Sequence, residues 1–127
     1  MRLRKDKLCT MKDHDVRRRL VLLEKWGHQC VVCGRGFANL ACVTIEHINP
    51  RARGGADADV NRGPSHYVCN RLKRTRSLLW AARQVQLVLK NIERMGNDPS
   101  VWLNTIVPGR TPHPHALLTP LDARWFF

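Results

Sequence analysis

Three cysteines and a histidine carry the spacing that a metal site requires. Cys30 and Cys33 form a C-x2-C turn, and "HYVC" repeats that spacing downstream with His66 and Cys69. Thiolates and imidazoles are the usual ligands of Zn²⁺, and four of them make a closed structural site. The sequence therefore predicts a structural zinc ion held by Cys30, Cys33, His66 and Cys69. The alternative is a buried cysteine pair and an unrelated core histidine.

Other zinc designs fit the sequence poorly. A classical ββα finger needs a second histidine shortly after His47, where the chain has Arg51, Ala52 and Arg53. A zinc deaminase needs H-x-E and P-C-x-x-C, and neither motif is present. Cys42 lies among apolar residues and Cys9 in a basic segment, so both are interpreted as structural or incidental.

A carboxylate and an imidazole stand side by side in "TIEHINPRARGG", as Glu46 and His47. Neighbouring strand residues point to opposite faces, so the two can share a site only where a strand ends. Pro50 and the following glycines suit such a bend. Taken alone, His47 fits better as a strand-end histidine that caps a backbone group.

The net charge of the chain indicates what kind of molecule it binds. The 127 residues include 22 Lys and Arg against 10 Asp and Glu, a formal charge of +12. Such an excess favours a polyanion, most commonly nucleic acid. No apolar run approaches a membrane span and "MRLRKDKLCT" has no apolar signal core, so a soluble, cytoplasmic protein is expected. In a reducing compartment the five cysteines favour metal binding or burial over disulfides.

The pattern of elements predicts one small domain with flanking helices. Residues 1–12 are interpreted as a basic arm. A helix follows, with Asp13 or Asp15 as N-cap, Gly27 as its end, and one apolar face (Val16, Leu20, Leu23, Trp26). "LACVTIEHI" predicts a strand, and "NPRARGGADADVNRGPS" predicts a loop. A helix begins near "HYVCNRLKRTR", and an amphipathic helix continues through Leu78, Ala82, Val85, Leu89 and Ile92.

Taken in order, these motifs closely resemble the HNH endonuclease family. The pattern runs through "CVVC", "EHINP", "RGG", Asn61 and "HYVCNRLK". The resemblance covers about residues 16–76 and rests on the ordered set, because no single motif is specific. It implies an α+β fold: a ββα-metal (His-Me finger) unit stapled by a zinc knuckle, with flanking helices. The division expected is a basic arm at 1–12, a nuclease core at 13–76, and a helix with a Pro-rich aromatic tail at 77–127.

The resemblance also implies roles for four residues. Glu46 and Asn70 match the positions that bind a catalytic divalent cation, and their oxygen donors suit Mg²⁺ or Mn²⁺, with Ni²⁺ and Zn²⁺ as alternatives. His47 matches the general base that takes a proton from water. Asn61 matches the residue that braces the loop opposite the strand, so that a backbone carbonyl fixes the tautomer of His47. An asparagine at a helix start can also serve only as an N-cap, and for Asn70 both roles are compatible.

Three positions depart from the family pattern. Glu46 stands where aspartate is usual, which lengthens the reach to the cation. His66 replaces the commoner cysteine, which makes zinc affinity more dependent on pH. Arg62 follows Asn61 where leucine is common, which weakens the expected packing of the loop.

Basic residues cluster around the motif. They are Arg51, Arg53, Arg62, Arg71, Lys73, Arg74 and Arg76. Such side chains position a duplex through its phosphates without reading its sequence. For any single arginine a solvated surface is the better explanation, but it does not explain the cluster as a whole well. Arg17, Arg18 and Arg19 either extend this surface or only keep the protein soluble.

The sequence thus predicts a metal-dependent DNA endonuclease that nicks as a monomer and breaks both strands as a homodimer. By resemblance the products carry a 5′-phosphate and a 3′-hydroxyl. The apolar seam from Leu78 to Ile92 packs on the domain's own core or, less favoured, on a second copy. The alternatives are a zinc-stabilised DNA-binding module without activity and an assembly module that docks through its tail. Small stand-alone proteins of this family resemble bacteriophage proteins that work with the DNA-packaging (terminase) machinery. His113 and His115 are not assigned to a metal, and nothing in the sequence separates DNA from RNA.

Overall fold

The computed structural model describes residues 11–112. Cys9, His113, His115 and the aromatic residues of the C-terminal end lie outside this range. The elements are α1 (Asp13–Trp26), β1 (Val43–His47), β2 (Arg62–His66), α2 (Tyr67–Lys73), α3 (Leu78–Arg94) and α4 (Pro99–Leu103). Short 3₁₀ turns occupy Leu40–Cys42, Arg51–Arg53 and Asp59–Asn61.

Helix α1 packs one side against the small sheet. Its N-cap is Lys12, whose side chain makes no capping bond, so the predicted aspartate cap was wrong. Asp13 and Asp15 lie instead in the first turn, where a negative charge favours the helix dipole. Gly27 ends the helix with a φ of 74°, as predicted. Trp26, predicted on the apolar face, is 39% exposed, and its indole Nε1 donates to the Arg62 carbonyl at 3.0 Å.

The second strand was not recognised in the sequence, which assigned its first four residues to a loop. β2 nevertheless pairs antiparallel with β1, with Glu46 opposite Gly63 and His47 opposite Arg62. Gly63 and Pro64 are poor strand formers, so the local sequence did not indicate a strand here. Glycine is needed here, because a Cβ at position 63 would lie 2.5 Å from Val31 Cγ1. The Pro64 carbonyl accepts from the Val31 amide at 2.9 Å, which ties the cysteine turn to the sheet.

Two helices follow the strands, a short one and then a longer amphipathic one. α2 ends at Arg74, whose φ of 49° breaks the helix, and α3 begins after Ser77, whose side chain accepts from the Trp80 amide. The buried face of α3 is Ala81, Val85 and Leu89, rather than the predicted face with Ala82. These residues belong to the same core as Leu23, Phe37 and Cys69, so the seam packs on the domain itself.

Segments on both sides of the motif pack on that core. Met11, predicted to lie in the arm, contacts the core, as do Leu103 and Trp102 of α4. The Val107 amide donates to the Ala41 carbonyl at 3.2 Å. The result is a mixed helical and two-stranded fold consistent with the ββα-metal architecture. Within residues 11–112, no helix combines the length and apolar character needed to cross a membrane.

Candidate metal centre and active site

The predicted cysteine and histidine ligands lie together in the fold. The ligand atoms of Cys30, Cys33, His66 and Cys69 all lie within 4.8 Å of one another. Cys30 and Cys33 come from the turn after α1, His66 ends β2, and Cys69 lies in the first turn of α2. The four residues thus join three elements at one point, and their donor set fits a structural metal ion such as Zn²⁺.

Backbone groups shape the cysteine turn. The amides of Val32 and Cys33 approach Cys30 Sγ at 3.4 and 3.5 Å. Gly34, with a φ of 77°, returns its amide to the Cys30 carbonyl at 2.9 Å. Amide hydrogens aimed at a sulfur stabilise its thiolate, which is the form that binds metal. The turn is therefore preorganised around Cys30.

The ring of His66 is fixed by its second nitrogen. Nε2 lies 2.8 Å from the Gly36 carbonyl, so Nε2 carries the proton and donates it. Nδ1 is therefore the ring nitrogen that faces the cysteines, 3.4 Å from Cys33 Sγ and 3.9 Å from Cys69 Sγ. A carbonyl that holds the outer nitrogen is the usual support for a histidine ligand. The ring of His66 therefore has the orientation that a histidine ligand needs.

The electrostatics of the cluster also favour a cation. Burial raises the pKa of Cys30, but hydrogen bonds from Cys33, Cys69 and His66 outweigh it, and the pKa of Cys30 falls well below its usual value. Burial lowers the pKa of His66, but the neighbouring cysteines raise it to about 9. Hydrogen bonds to Cys30 and Cys33 raise the pKa of Cys69. By contrast, burial raises the pKa of Cys42, which is not in the cluster, to about 11.

Two side-chain bonds join β1 to α2 next to the metal cluster. Asn70 Nδ2 donates to Thr44 Oγ1 at 3.1 Å, and Lys73 Nζ donates to Glu46 Oε1 at 3.2 Å. Thr44 and Glu46 share one strand face, and Asn70 and Lys73 share one helix face, so the bonds are successive contacts of one interface. Glu46 and Asn70 consequently lie on the same side of the sheet.

One oxygen of this interface has no protein partner. Glu46 is buried, and its Oε2 makes no hydrogen bond within the described part of the chain. Burial raises the pKa of Glu46, while the charge of Lys73 opposes that rise. An unpartnered buried carboxylate oxygen is costly unless a cation or a solvent molecule satisfies it. This oxygen lies on the same side of the sheet as Asn70, and the assignment of the two residues as cation ligands stays a prediction.

His47 lies at the end of β1 and contacts an acid that the sequence did not identify. Its Nε2 donates to Asp57 Oδ1 at 3.2 Å. The expected partner was a backbone carbonyl, and a carboxylate takes that place. Spacing gave no reason to prefer Asp57 over the neighbouring acid Asp59, so only the fold reveals it.

Asp57 also forms ion pairs with two of the arginines that were predicted to bind DNA. Arg62 Nη2 lies 2.5 Å from Oδ1, and Arg51 Nη2 lies 3.3 Å from Oδ2. Hydrogen bonds from Arg62 and His47 lower the pKa of Asp57 to about 2. The carboxylate therefore remains ionised above strongly acidic pH, and it holds His47 in one tautomer.

The Asn61 side chain makes three hydrogen bonds to the backbone of the loop. Its Oδ1 accepts from the Asn49 amide at 2.8 Å, and its Nδ2 donates to the carbonyls of Asn49 (2.9 Å) and Ala56 (2.7 Å). The Asn61 carbonyl accepts from the Ile48 amide at 2.9 Å. These bonds tie the start of the loop, directly after His47, to its end at Asn61.

The basic residues divide into two groups. Arg53, Arg71, Arg74 and Arg76 are exposed, and Arg71 and Arg76 stack over Tyr67 and Trp80 at 5.7 and 4.7 Å. Lys73, predicted to contact DNA, is fully buried, with its ammonium on Glu46 and on the His47 carbonyl. A phosphate cannot reach it, so that prediction was wrong for Lys73.

Comparison with known proteins agrees with the motif order. Residues 30–76 match the family model described as HNH endonuclease. The match begins at the first cysteine of the metal cluster and ends after α2, so it includes Glu46, His47, Asn61 and Asn70. No curated protein matches the chain.

Proposed function

We propose that this protein is a metal-dependent endonuclease that hydrolyses phosphodiester bonds of DNA, because residues 30–76 match the HNH endonuclease family model. The observation that carries the proposal is the end of β1. There the buried carboxylate of Glu46, one of whose oxygens has no partner among residues 11–112, precedes a histidine that Asp57 holds in one orientation. A strand end with these two features supplies a cation ligand and a base beside each other.

Each residue of the site has a distinct role in this proposal. Glu46 and Asn70 would hold a divalent cation, which would supply stabilisation of the negative charge that develops during hydrolysis. His47 takes a proton from the attacking water through Nδ1, because Nε2 is engaged by Asp57. Asn61 keeps the loop and hence Asp57 in place. The water oxygen bonds to phosphorus as the P–O3′ bond breaks, and a proton from solvent neutralises the leaving oxygen, so the products carry a 5′-phosphate and a 3′-hydroxyl.

The remaining features concern DNA binding and context. Arg53, Arg71, Arg74 and Arg76 contact phosphates from the exposed surface, while Arg51 and Arg62 do so when Asp57 shares them with the substrate. One site cuts one strand, so a monomer nicks, and cleavage of both strands needs a dimer or two events. A cytoplasmic role beside phage DNA-packaging proteins is supported only by resemblance to small HNH proteins.

One observation favours a second candidate, a DNA-binding module without activity. Both proposed catalytic side chains already have internal partners, since Lys73 binds Glu46 and Asp57 binds His47. In that case the metal cluster stabilises the fold and the arginines bind DNA, but no bond is cut. The two candidates differ in a single measurable outcome.

The test is the cleavage of supercoiled plasmid by purified protein with Mg²⁺, Mn²⁺, Ni²⁺ or no added cation. His47→Ala is compared with His113→Ala, a histidine substitution outside the matched domain. Relaxed circles that need the cation, persist in His113→Ala and vanish in His47→Ala support the nuclease. Binding without cleavage in all three proteins supports the binding module. Equal cleavage by His47→Ala and the parent protein contradicts the role of His47.

A further inference from the structure

A groove outside the catalytic residues runs along α1. It has a volume of about 430 Å³ and lies between the helix and Arg62 of β2. Val21 and Leu22 contribute apolar lining, and Arg17, Arg18, Lys25 and Arg62 contribute positive charge. None of the residues that line it is acidic. The groove therefore combines an apolar surface with a concentrated positive potential.

The helix period explains why these residues meet. Val21 follows Arg17 by four residues and Arg18 by three, and Lys25 follows Val21 by four. These four residues therefore share one face of α1. Arg19 points elsewhere, since its guanidinium donates to the Val43 carbonyl at 3.1 Å and to the Asp15 carbonyl at 3.1 Å. The three consecutive arginines thus separate into two that line the groove and one that joins α1 to the sheet.

Arg62 links this groove to the proposed catalytic centre. Its Nη2 contacts Asp57 Oδ1, the same oxygen that accepts from His47 Nε2. The register places Arg62 directly opposite His47, and Trp26 of α1 donates to the Arg62 carbonyl. A ligand in the groove would therefore contact Arg62. Arg62 in turn contacts the Asp57 carboxylate, which accepts from His47.

We propose that the α1 groove binds the sugar–phosphate backbone of the DNA strand beside the scissile phosphate. Phosphate oxygens pair with Arg17, Arg18 and Arg62, and the apolar face of a sugar lies over Val21 and Leu22. This inference rests on the proposed function, because it takes His47 as the point of cleavage. An acidic membrane surface is the competing polyanion, but a flat bilayer suits a concave groove less well than a single strand does.

The first test measures binding without cleavage. Arg17→Glu/Arg18→Glu is compared with Arg83→Glu/Arg94→Glu, which makes the same charge change at exposed positions of α3. Affinity for a fluorescent DNA duplex is measured by anisotropy over a range of salt concentrations with no added divalent cation. The groove variant should bind roughly 10-fold or more weakly than the control variant, with a log–log salt slope smaller by about 2, one per lost phosphate contact.

A second measurement locates the strand directly. A photo-cross-linking residue, p-benzoylphenylalanine, replaces Val21, which is 53% exposed, or Leu87 on α3, which is 56% exposed. The Val21 probe should cross-link to nucleotides on one side of the cleavage position, in a yield that falls when Arg18→Glu is added. The Leu87 probe should give a low yield. Equal yields from the two probes would overturn the proposal.

The two proposals can fail separately. Equal loss of DNA affinity in the groove and α3 variants overturns the groove, whether or not the protein cuts DNA. Selective loss in the groove variant supports the groove even if no plasmid is cleaved, and in that case only the nuclease is refuted. Sedimentation with phosphatidylserine vesicles that depends on Arg17 and Arg18, with unchanged DNA binding, would assign the groove to a membrane surface and overturn the proposal.

Discussion

Lys73 donates its buried ammonium to the Glu46 carboxylate at 3.2 Å and to the His47 carbonyl at 3.1 Å. The side chains of Lys73 and Glu46 are 0% and 6% exposed. One ammonium thus holds the side chain of the proposed cation ligand and the backbone of the proposed base. Lys73 consequently positions the end of β1 from within the fold.

Removing that ammonium should destabilise the fold. Lys73→Met leaves the Glu46 carboxylate buried without a counter-charge, which typically costs about 3–5 kcal/mol in the free energy of unfolding. Chemical denaturation of the metal-loaded protein measures the loss. Adding Glu46→Gln should restore much of it, because the uncompensated charge is then gone. Arg74→Met, at an exposed neighbour, should change stability little, and an equal loss there would contradict this account.

Metal content gives a second prediction. Purified protein should contain one zinc ion per chain by elemental analysis, and Cys33→Ala should lose the ion and unfold at lower temperature. Structural zinc contributes roughly 10 kcal/mol or more of apparent binding free energy in small domains, so its removal should be strongly destabilising. Cys42→Ser should retain the ion, because the Cys42 thiol, with a pKa of about 11, is no thiolate at neutral pH and lies outside the cluster. Loss of zinc from Cys42→Ser would show that the ligands are wrongly assigned.

The group of cysteine and histidine ligands could be predicted from the sequence because the two ligands of each pair are close together in the chain. Each pair of ligands lies within one turn of chain, and residue type alone identifies thiolate and imidazole donors. The prediction that the two pairs meet needed only the assumption of one domain. Even so, the Gly36 carbonyl that selects Nδ1 of His66 as the ligand atom could not be anticipated.

Other parts of the site depend on contacts between distant segments. β2 forms despite Gly63 and Pro64, since close packing against Val31 decides that position more than strand propensity does. Lysine is ordinarily exposed, so nothing local marks Lys73 as buried. The role of Asp57 arises only because the 3₁₀ turns and the bonds of Asn61 fold the loop back onto His47.

Loss of the Asp57 carboxylate should lower the cleavage rate more than DNA affinity. In Asp57→Asn the imidazole loses the charge that orients it, so the rate should fall, but by less than the roughly 10²–10⁴-fold contributed by a general base. Arg51 and Arg62 are released toward phosphate, so affinity should be equal or higher. Single-turnover cleavage and anisotropy measure the two effects.

The same carboxylate should not set the pH dependence near neutrality. Its folded pKa of about 2 lies below the ordinary aspartate value, so its contribution is present above the ordinary value and lost only as pH falls toward 2. Between pH 5 and 8 it stays ionised. Asp59→Asn removes an equal charge from the same loop and serves as the control. A parallel loss of rate in both variants would mean that loop charge, rather than orientation of His47, matters.

Asn61 gives the sharpest test of the loop. Asn61→Ala removes three hydrogen bonds to the backbone, two to Asn49 and one to Ala56, each of which typically contributes about 0.5–1.5 kcal/mol. Residues 48–57 should therefore exchange amide hydrogens faster, while α3 keeps its protection. Cleavage should fall along with this local loosening, because Asp57 is carried on the same loop. Asn91→Ala, on the exposed face of α3, provides the matched control.

Asn61→Asp separates bracing from simple loss of the side chain. The acid keeps an acceptor for the Asn49 amide but turns a donor into an anion facing the Asn49 and Ala56 carbonyls. Repulsion at those two oxygens should loosen the loop at least as much as alanine does. Fast exchange with full activity in both variants would show that the brace is dispensable for cleavage. Slow exchange with lost activity would instead place the Asn61 side chain against the substrate.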